Sequence, residues 1–299
     1  MNFDVVVLGS ANHDLTVVAD RHPRPGETIL GKAHHSGPGG KGANQAVAAA
    51  RLGSRVALIG RVGADSFGRD MLDVLANEGV DISAVVVDED AATGLAVITV
   101  ETGGENSIIV VPGANGRIAR DQITEHRRRF EEASVVLAQL EVPMEAVEAA
   151  AAITRGRFCL NPAPARDLSD DLLADVDVLI PNRGELARLA GEDECDDVDE
   201  MIELVREIKG PQAVVVTLGS EGALVVEDGY PTHLPAPEVK TVDTTGAGDA
   251  FCGAVAHALA EGRPLVEAAR MGVAAGAIAT TRTGAQSALP TLSELKEFL

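Results

Sequence analysis

Short apolar runs alternate with longer amphipathic stretches over most of the chain. DVVVLG (4–9), RVALIG (55–60), SVVLAQLE (134–141), FCLN (158–161), DVLIPN (177–182) and AVVVTLG (213–219) each have the length of a buried strand. Between them, GANQAVAAARLG (42–53) and stretches near 67–78, 143–155, 183–190 and 196–209 read as helices. Strand, helix, strand repeated in this way predicts an α/β fold with a mostly parallel sheet covered on both faces. Such sheets bind ligands beyond the carboxyl ends of their strands. Several runs end there in a polar side chain: Asn12 shortly after the first, then Glu141, Asn161, Asn182 and Thr217. One site assembled from those ends is the economical explanation, and simple caps and turns are the plainer one.

One region breaks the rhythm. TGLAVITV (93–100) and NSIIVVPG (106–113) flank the turn-forming TGGE and predict a β-hairpin outside the helix-covered sheet. It is either a lid over the site, a dimer surface, or an edge with no role beyond packing. No repeat or linker divides the chain into independent domains.

The chemistry concentrates in DTTGAGDAFCG (243–253). Gly246 and Gly248 let the backbone turn tightly and present N–H groups just before an apolar helix, a place where an anion can sit. Asp249 falls inside that positive region and can take a proton from a hydroxyl. An anion hole beside a base is the equipment of phosphoryl transfer to an alcohol, although an ordinary strand-to-helix turn with Asp249 at the helix start has the same residues. SGPGGKGANQA (36–46) fails as a phosphate-binding P-loop, because Gly42 follows the lysine and His35 stands where the first glycine belongs. GAGDAF fails as a dinucleotide fingerprint because Phe251 stands at the third glycine. The first cluster instead brings backbone close to a small polar ligand, with Lys41 and Asn44 offering donors to hydroxyls, or it is a plain glycine-rich helix start. In PNRGE, Asn182 and Glu185 share one side of a helix start. They suit phosphate and hydrated magnesium, or a reciprocal cap.

Composition narrows the classes. At 299 residues and 45% hydrophobic content the chain can build a sizeable core. No apolar run is long enough to span a bilayer, and the opening FDVVVLG looks like a first strand, so a cytoplasmic enzyme is expected. A net charge of −21 and 2% aromatic content argue against nucleic acid and anionic membranes as partners. With only five lysines, the acidic surface is either an adaptation to high salt or the mark of a GC-rich genome. Cys159, Cys195 and Cys252 lack metal or disulfide spacing and are expected to be buried thiols. The seven histidines give no support to a zinc or Ser-His-Asp site.

Taken together, GSANHD, GGKGANQAVAAARLG, TGLAVI, GENSIIVVPGAN, QLEVP, LNPAPAR, PNRGE, TLGSEG, VDTTGAGDAF and TRTGAQ, in that order, resemble the ribokinase-like (PfkB) carbohydrate kinase family nearly end to end. The resemblance implies a Rossmann-like α/β/α sandwich over 1–299 with a small β-sheet lid built from about 14–38 and 93–113, through which many members form homodimers. It implies Asp249 as catalytic base, with Gly246, Ala247 and Gly248 as the anion hole. Asn12, Asp14, Gly40, Lys41, Asn44 and Glu141 would bind sugar hydroxyls. Asn182 and Glu185 would organise ATP phosphates, Glu185 holding Mg2+ through water, while Thr217, Gly219, Ser220 and Gly222 line the nucleotide site. Asp243, Thr245, Ala279, Arg282 and Gly284 match a monovalent-cation loop, so K+ is expected to activate. Two positions depart from the pattern and bear on cation affinity and nucleotide selectivity: Ala288, where a serine is common, and Val273, where a polar residue often meets the adenine. The implied reaction is ATP-dependent phosphorylation of D-ribose at its primary 5-hydroxyl. A kinase for deoxyribose, a nucleoside or another sugar is the enzyme alternative. A sugar-binding regulator without turnover is the alternative of another class, and the intact Asp249 argues against it.

Overall fold

Val5 and Val7 pack into one apolar cluster and Val6 and Leu8 into another. The same division separates Val135 and Leu137 from Val136 and Ala138, and Cys159 from Phe158 and Leu160. Strands whose residues alternate between two cores belong to a sheet buried on both faces. The computed structural model, which describes residues 2–103 and 106–299, contains that sheet. In the first part of the chain lie β1 (Val5–Leu8), β2 (Asn12–Ala19), β3 (Ala33–Gly39), α1 (Lys41–Arg51), β4 (Val56–Gly63), α2 (Ser66–Asn77), β5 (Asp81–Asp88), β6 (Gly94–Glu101) and β7 (Asn106–Val111). There follow α3 (Arg120–Glu125), α4 (Arg127–Glu132), β8 (Val135–Ala138), α5 (Met144–Ile153), β9 (Arg157–Leu160), α6 (Asp170–Ala174), β10 (Val178–Leu179), α7 (Arg183–Ala190) and α8 (Val198–Glu207). The chain closes with β11 (Ala213–Thr217), β12 (Ala223–Glu227), β13 (Tyr230–Leu234), α9 (Ala247–Ala260), α10 (Leu265–Ala279) and α11 (Leu292–Phe298).

Among the described residues the larger sheet has nine strands in the order β13-β12-β11-β10-β9-β8-β1-β4-β5. Pairing is parallel from β11 across to β5 and antiparallel where β12 and β13 extend the edge. Helices α1, α2, α9, α10 and α11 contribute to the core on one face and α3 to α8 to the core on the other. Each fully buried Val, Leu or Phe side chain contributes about 1.5–3 kcal/mol, and Phe130 and Phe158 anchor the second face at 0% and 1% exposure. The expected alternation is therefore present, but two runs are shorter than expected. The run at 134–141 forms a strand only to Ala138 and that at 177–182 only to Leu179, where Pro181 lacks an N–H for the ladder, although Asn182 still bridges Thr217.

A smaller sheet stands apart, in the order β3-β2-β6-β7. Strands β6 and β7 pair antiparallel as the expected hairpin, and β6 joins β2 in parallel register from Asn12 opposite Gly94. The TGGE turn includes Gly104 and Glu105, which lie outside the described residues. Ile108, Ile109, Val110 and Val111 on its outer strand are 43–67% exposed. Among the described residues no helix is long and apolar enough to cross a membrane. Cys159 and Cys252 are buried as expected, whereas Cys195 is only partly covered because it sits in the polar segment before α8.

On the first face α1 crosses α9 with little between them. A Cβ placed on Gly253 would lie 2.4 Å from the Ala48 Cβ and 2.8 Å from the Gln45 carbonyl oxygen. Backbone contact this close is open only to glycine, and forcing a methyl into it costs about 1–3 kcal/mol. The crossing brings the first turns of both helices to the carboxyl end of the sheet.

Candidate active site

Gly246 caps α9 at φ 77°, a left-handed conformation that a side chain would strain. One turn inside, Asp249 is 7% exposed, and each of its carboxylate oxygens receives one amide from α1. Asn44 Nδ2 donates to Oδ2 at 2.9 Å and Gln45 Nε2 to Oδ1 at 3.0 Å. Asn44 was expected to serve sugar hydroxyls; here its amide nitrogen serves Asp249, and its Oδ1 is left buried without a partner. In the turn expected to form the anion hole, one of the three N–H groups is already engaged. The Ala247 N–H closes the turn onto the Thr244 carbonyl at 3.2 Å, which leaves Gly246 and Gly248 as the donors open to an anion.

Toward the small sheet, Gly40 turns the chain into α1 at φ 88°, and the N–H of Lys41 donates to Glu141 Oε2 at 3.1 Å. Ser10 Oγ donates to the same oxygen. Asn12 is buried, and its Oδ1 accepts from Asn115 Nδ2 at 2.7 Å. Asp14 Oδ1 is buried with no partner. Burial, reinforced by the Glu141 and Asp249 carboxylates, pushes the Asp14 carboxyl from 3.8 to about 7. Burial pulls the Lys41 ammonium down, yet the carboxylates of Asp249, Glu141 and Glu185 more than offset it and hold the group above its ordinary value. The site is thus acidic, with one cation at its centre.

Two cavities meet here, sharing Thr241 and Thr244 in their walls. One, of about 580 Å³, gathers Thr217, Gly219, Ser220 and Gly222 with Gly248 and Val273, so the expected nucleotide-lining residues converge on the start of α9. The other, of about 730 Å³, opens between the small sheet and the loops at 241–245 and 283–287, with Asp14 and Ile108 in its wall. Asn182 and Glu185 form a reciprocal cap at the start of α7. Asn182 Oδ1 accepts from the Glu185 N–H at 2.8 Å and Glu185 Oε2 from the Asn182 N–H at 2.9 Å. The cap commits one Glu185 oxygen. Burial raises the Glu185 carboxyl, against the pull of the Asn182 N–H and Lys41.

The two loops expected to hold a monovalent cation are joined by Asp243. Its Oδ1 accepts from the Thr245 N–H at 2.9 Å and from Thr245 Oγ1 at 2.6 Å, and its Oδ2 from the Gly284 N–H at 2.9 Å. Burial would raise the Asp243 carboxyl, but these hydrogen bonds outweigh it and hold the group below the usual range. Among the described residues it has no ion pair, since Arg282 turns away to Glu294. The carbonyls ending α10 accept hydrogen bonds from the loop that follows and from the one before α9. Those of Ala279 and Thr280 accept from Arg282 and from Val242 and Asp243, because the loop folds back on the helix end.

Four polar residues that matter here were not singled out from sequence: Ser10, Gln45, Asn115 and Gln139. Gln45 stands beside Asn44 in GANQA and Gln139 two residues before Glu141 in AQLE, and that proximity was the available signal.

A buried carboxylate at a helix start, beside a glycine-bounded turn whose Gly248 lines a cavity, is an arrangement suited to phosphoryl transfer onto a hydroxyl. The chain belongs to the pfkB family of carbohydrate kinases, whose pattern matches residues 2–292. It is 40% identical to the ribokinase of Haemophilus influenzae, over all of this chain and 99% of that one. It is also 34% identical to the deoxyribokinase of Salmonella typhi, over 99% of this chain and 98% of that one. Its fold superposes on Arabidopsis thaliana ribokinase complexed with ribose and ATP with a TM-score of 0.93, at 32% identity, covering all of this chain and 99% of that one. The expected α/β/α sandwich with a small additional sheet is thereby the fold of this chain.

Asp14 makes stability depend on pH. Its proton is held in the folded chain up to about 7 and released from the unfolded chain near 3.8, so folding takes up a proton between those values. Its contribution is therefore present at low pH and lost as pH rises through about 7. Asp14→Asn, which cannot ionise, should gain melting temperature relative to the parent between about pH 4 and pH 8. Melting curves of the two proteins that stay the same distance apart at both pH values would contradict the assignment.

Proposed function

We propose that the chain transfers the γ-phosphoryl group of ATP to the primary 5-hydroxyl of D-ribose, giving D-ribose 5-phosphate and ADP. The observation that carries this is the placement of Asp249, buried in the first turn of α9 and held by Asn44 and Gln45, next to Gly248 in the wall of the cavity that gathers the expected nucleotide-lining residues. The hydroxyl gives its proton to Asp249 as its oxygen bonds to the γ-phosphorus, and the bond to ADP breaks with its electron pair leaving on ADP. Asn12, Asp14, Gly40, Lys41, Asn44 and Glu141 hold the sugar. Asn44 Oδ1, unpartnered in the free protein, can accept from a sugar hydroxyl while its amide nitrogen stays on Asp249. Gly246 and Gly248 offer N–H groups to the transferring phosphoryl. Asn182 and Glu185 face the nucleotide phosphates, and Mg2+, bound through water at the Glu185 oxygen outside the cap, would supply neutralising charge. A cytoplasmic location goes with this reading, since ATP is the donor.

The test is ADP release with ribose, deoxyribose, fructose, adenosine and 2-keto-3-deoxygluconate as acceptors. Ribose should lead, and Asp249→Ala should lower kcat by at least about a hundredfold. Turnover on deoxyribose with none on ribose would move the substrate to the deoxy sugar and leave the kinase standing. Near-normal turnover in folded Asp249→Ala would remove Asp249 as the base.

We also propose that K+ binds beside Asp243, among Thr245, Ala279, Arg282 and Gly284, the last four through main-chain oxygens. The support is the Asp243 carboxylate, kept ionised by its hydrogen bonds and left without a protein cation. A cation there fixes the turn that carries Gly246 and Gly248. At constant magnesium and ionic strength, potassium should raise kcat or kcat/KM well above a bulky organic cation. Identical rates in both salts would mean that the loop needs no ion.

The small sheet is proposed as a lid through which two copies pair. Four consecutive exposed apolar residues on an edge strand need a cover. Light scattering should report a dimer at micromolar concentration. A monomer whose hairpin resists proteolysis would show that the single chain covers the strand itself.

A further inference from the structure

Beneath Asp249 runs a chain of buried amides whose direction is fixed at one end by the backbone. The Ile180 carbonyl can only accept, and Asn161 Nδ2 donates to it at 2.9 Å. Asn161 must then turn its Oδ1 the other way, where Gln45 Nε2 donates to it at 3.2 Å. The same Gln45 nitrogen donates its other proton to Asp249 Oδ1 at 3.0 Å. Gln45 Oε1 accepts in turn from Gln139 Nε2 at 2.5 Å. Both donor protons of the Gln45 amide and its acceptor oxygen are therefore engaged. Gln45 and Gln139 are 0% exposed and Asn161 9%.

We propose that Gln45 is a positioning residue for Asp249 and that Asn161 sets the orientation of Gln45. A reversed Gln45 amide would set its oxygen against the Asp249 carboxylate, and the Ile180 carbonyl, three hydrogen bonds away, disfavours that state by fixing Asn161. The effect is on the direction of the carboxylate and not on its charge, because amides donate without carrying charge of their own. Asn44 holds the other oxygen but borders the sugar, so the two neighbours on α1 divide the work: Asn44 couples the base to the substrate, Gln45 couples it to the protein. The tight approach at Gly253, one helical turn beyond Asp249, lets both reach.

The proposal rests on the reading of Asp249 as base in the proposed kinase, and the experiment separates the two. In the full-length protein, Gln45→Met removes the donors at nearly constant volume and should lower kcat by about ten- to a hundredfold, the scale of a misplaced catalytic group. KM for ribose should stay within about twofold, since the change acts after binding. Asn161→Leu should lower kcat less, by about three- to tenfold, and should cost nothing further when Gln45 is already Met, because it acts through that residue. Gln45→Glu supplies a readout that mere loss of packing would not move. Two carboxyls about 3 Å apart share a proton, so the acid limb of the kcat profile should rise by about one pH unit or more. If Gln45→Met does not fold, Asn161→Leu and Gln45→Glu still decide. An unchanged kcat in folded Gln45→Met with Asp249→Ala inactive overturns the relay and spares the kinase. Effects of Gln45→Met and Asn161→Leu that multiply, or an unmoved acid limb in Gln45→Glu, overturn it likewise. An active Asp249→Ala removes both readings together.

Discussion

The site depends on two helix starts being forced to one point. Both α1 and α9 begin at the carboxyl edge of the parallel strands, and both bury an alanine- and glycine-rich face against the same sheet. Their axes can come close enough for Asn44 and Gln45 to touch Asp249 only because Gly253 faces Ala48 without a side chain of its own. Helix starts carry unpaired N–H groups and partial positive charge. Bringing two of them together makes a place where carboxylates and phosphates are favoured, in a protein whose net charge of −21 otherwise repels anions. The alanine and glycine content of these two helices is what permits the contact.

Within that frame Lys41 is the group on which the acids converge. Its ammonium feels Asp14, Glu141, Asp249 and Glu185, residues from the small sheet, the end of β8 and the starts of α9 and α7. Two unit charges at about 4 Å interact by about 4 kcal/mol at the effective dielectric of a protein surface. Lys41 makes no ion pair that close among the described residues, and it is the summed pull of Asp249, Glu141 and Glu185 that outweighs its burial. Four acids cannot all be satisfied by one lysine, however, and Asp14 is the one left with a raised carboxyl and an unpartnered oxygen. A neutral sugar with several hydroxyls suits such a place, because it can donate to the acids without adding charge.

The sheet and the helix pattern were legible because alternation between two cores leaves its period in the sequence. Strand β3, AHHSGPG, was not, since polar and glycine residues at a small-sheet edge carry no strand signal. Strand β5 hid for a related reason: as an edge strand of the main sheet it is only half-buried, so its apolar residues do not form an isolated buried run. Asp249, Lys41 and Glu141 could be found because charged residues beside glycines or at strand ends are conspicuous. Gln45 could not, because a neutral amide inside an alanine helix looks like a surface residue until the partner helix is in place. Asn182 and Glu185 show a further limit. Three-residue spacing at a helix start serves a cap and a ligand site equally well, and the fold uses the cap without removing the free oxygen.

The small sheet is tied to the large one at two crossings. Asn115 accepts from the Ala11 N–H at 2.9 Å and donates to both the Ala11 carbonyl and Asn12 Oδ1, clamping the chain where β1 gives way to β2. Asp65 does similar work at the other crossing, capping α2 while accepting from the Thr93 N–H and hydroxyl just before β6. Two strands entering the small sheet from two fixed points make it a stiff flap with its free edges far from the anchors. Transfer to a sugar in preference to water requires that the reacting groups be shielded. Under the proposed function, a flap anchored beside Asn12 and bearing Asp14 would couple that shielding to sugar contact, since any rotation about the anchors moves Asp14 relative to Asp249 and Glu141. If the small sheet serves as the proposed lid over a bound sugar, closing it and completing the hydroxyl contacts are a single motion, one that leaves the exposed face of β7 for another surface to cover.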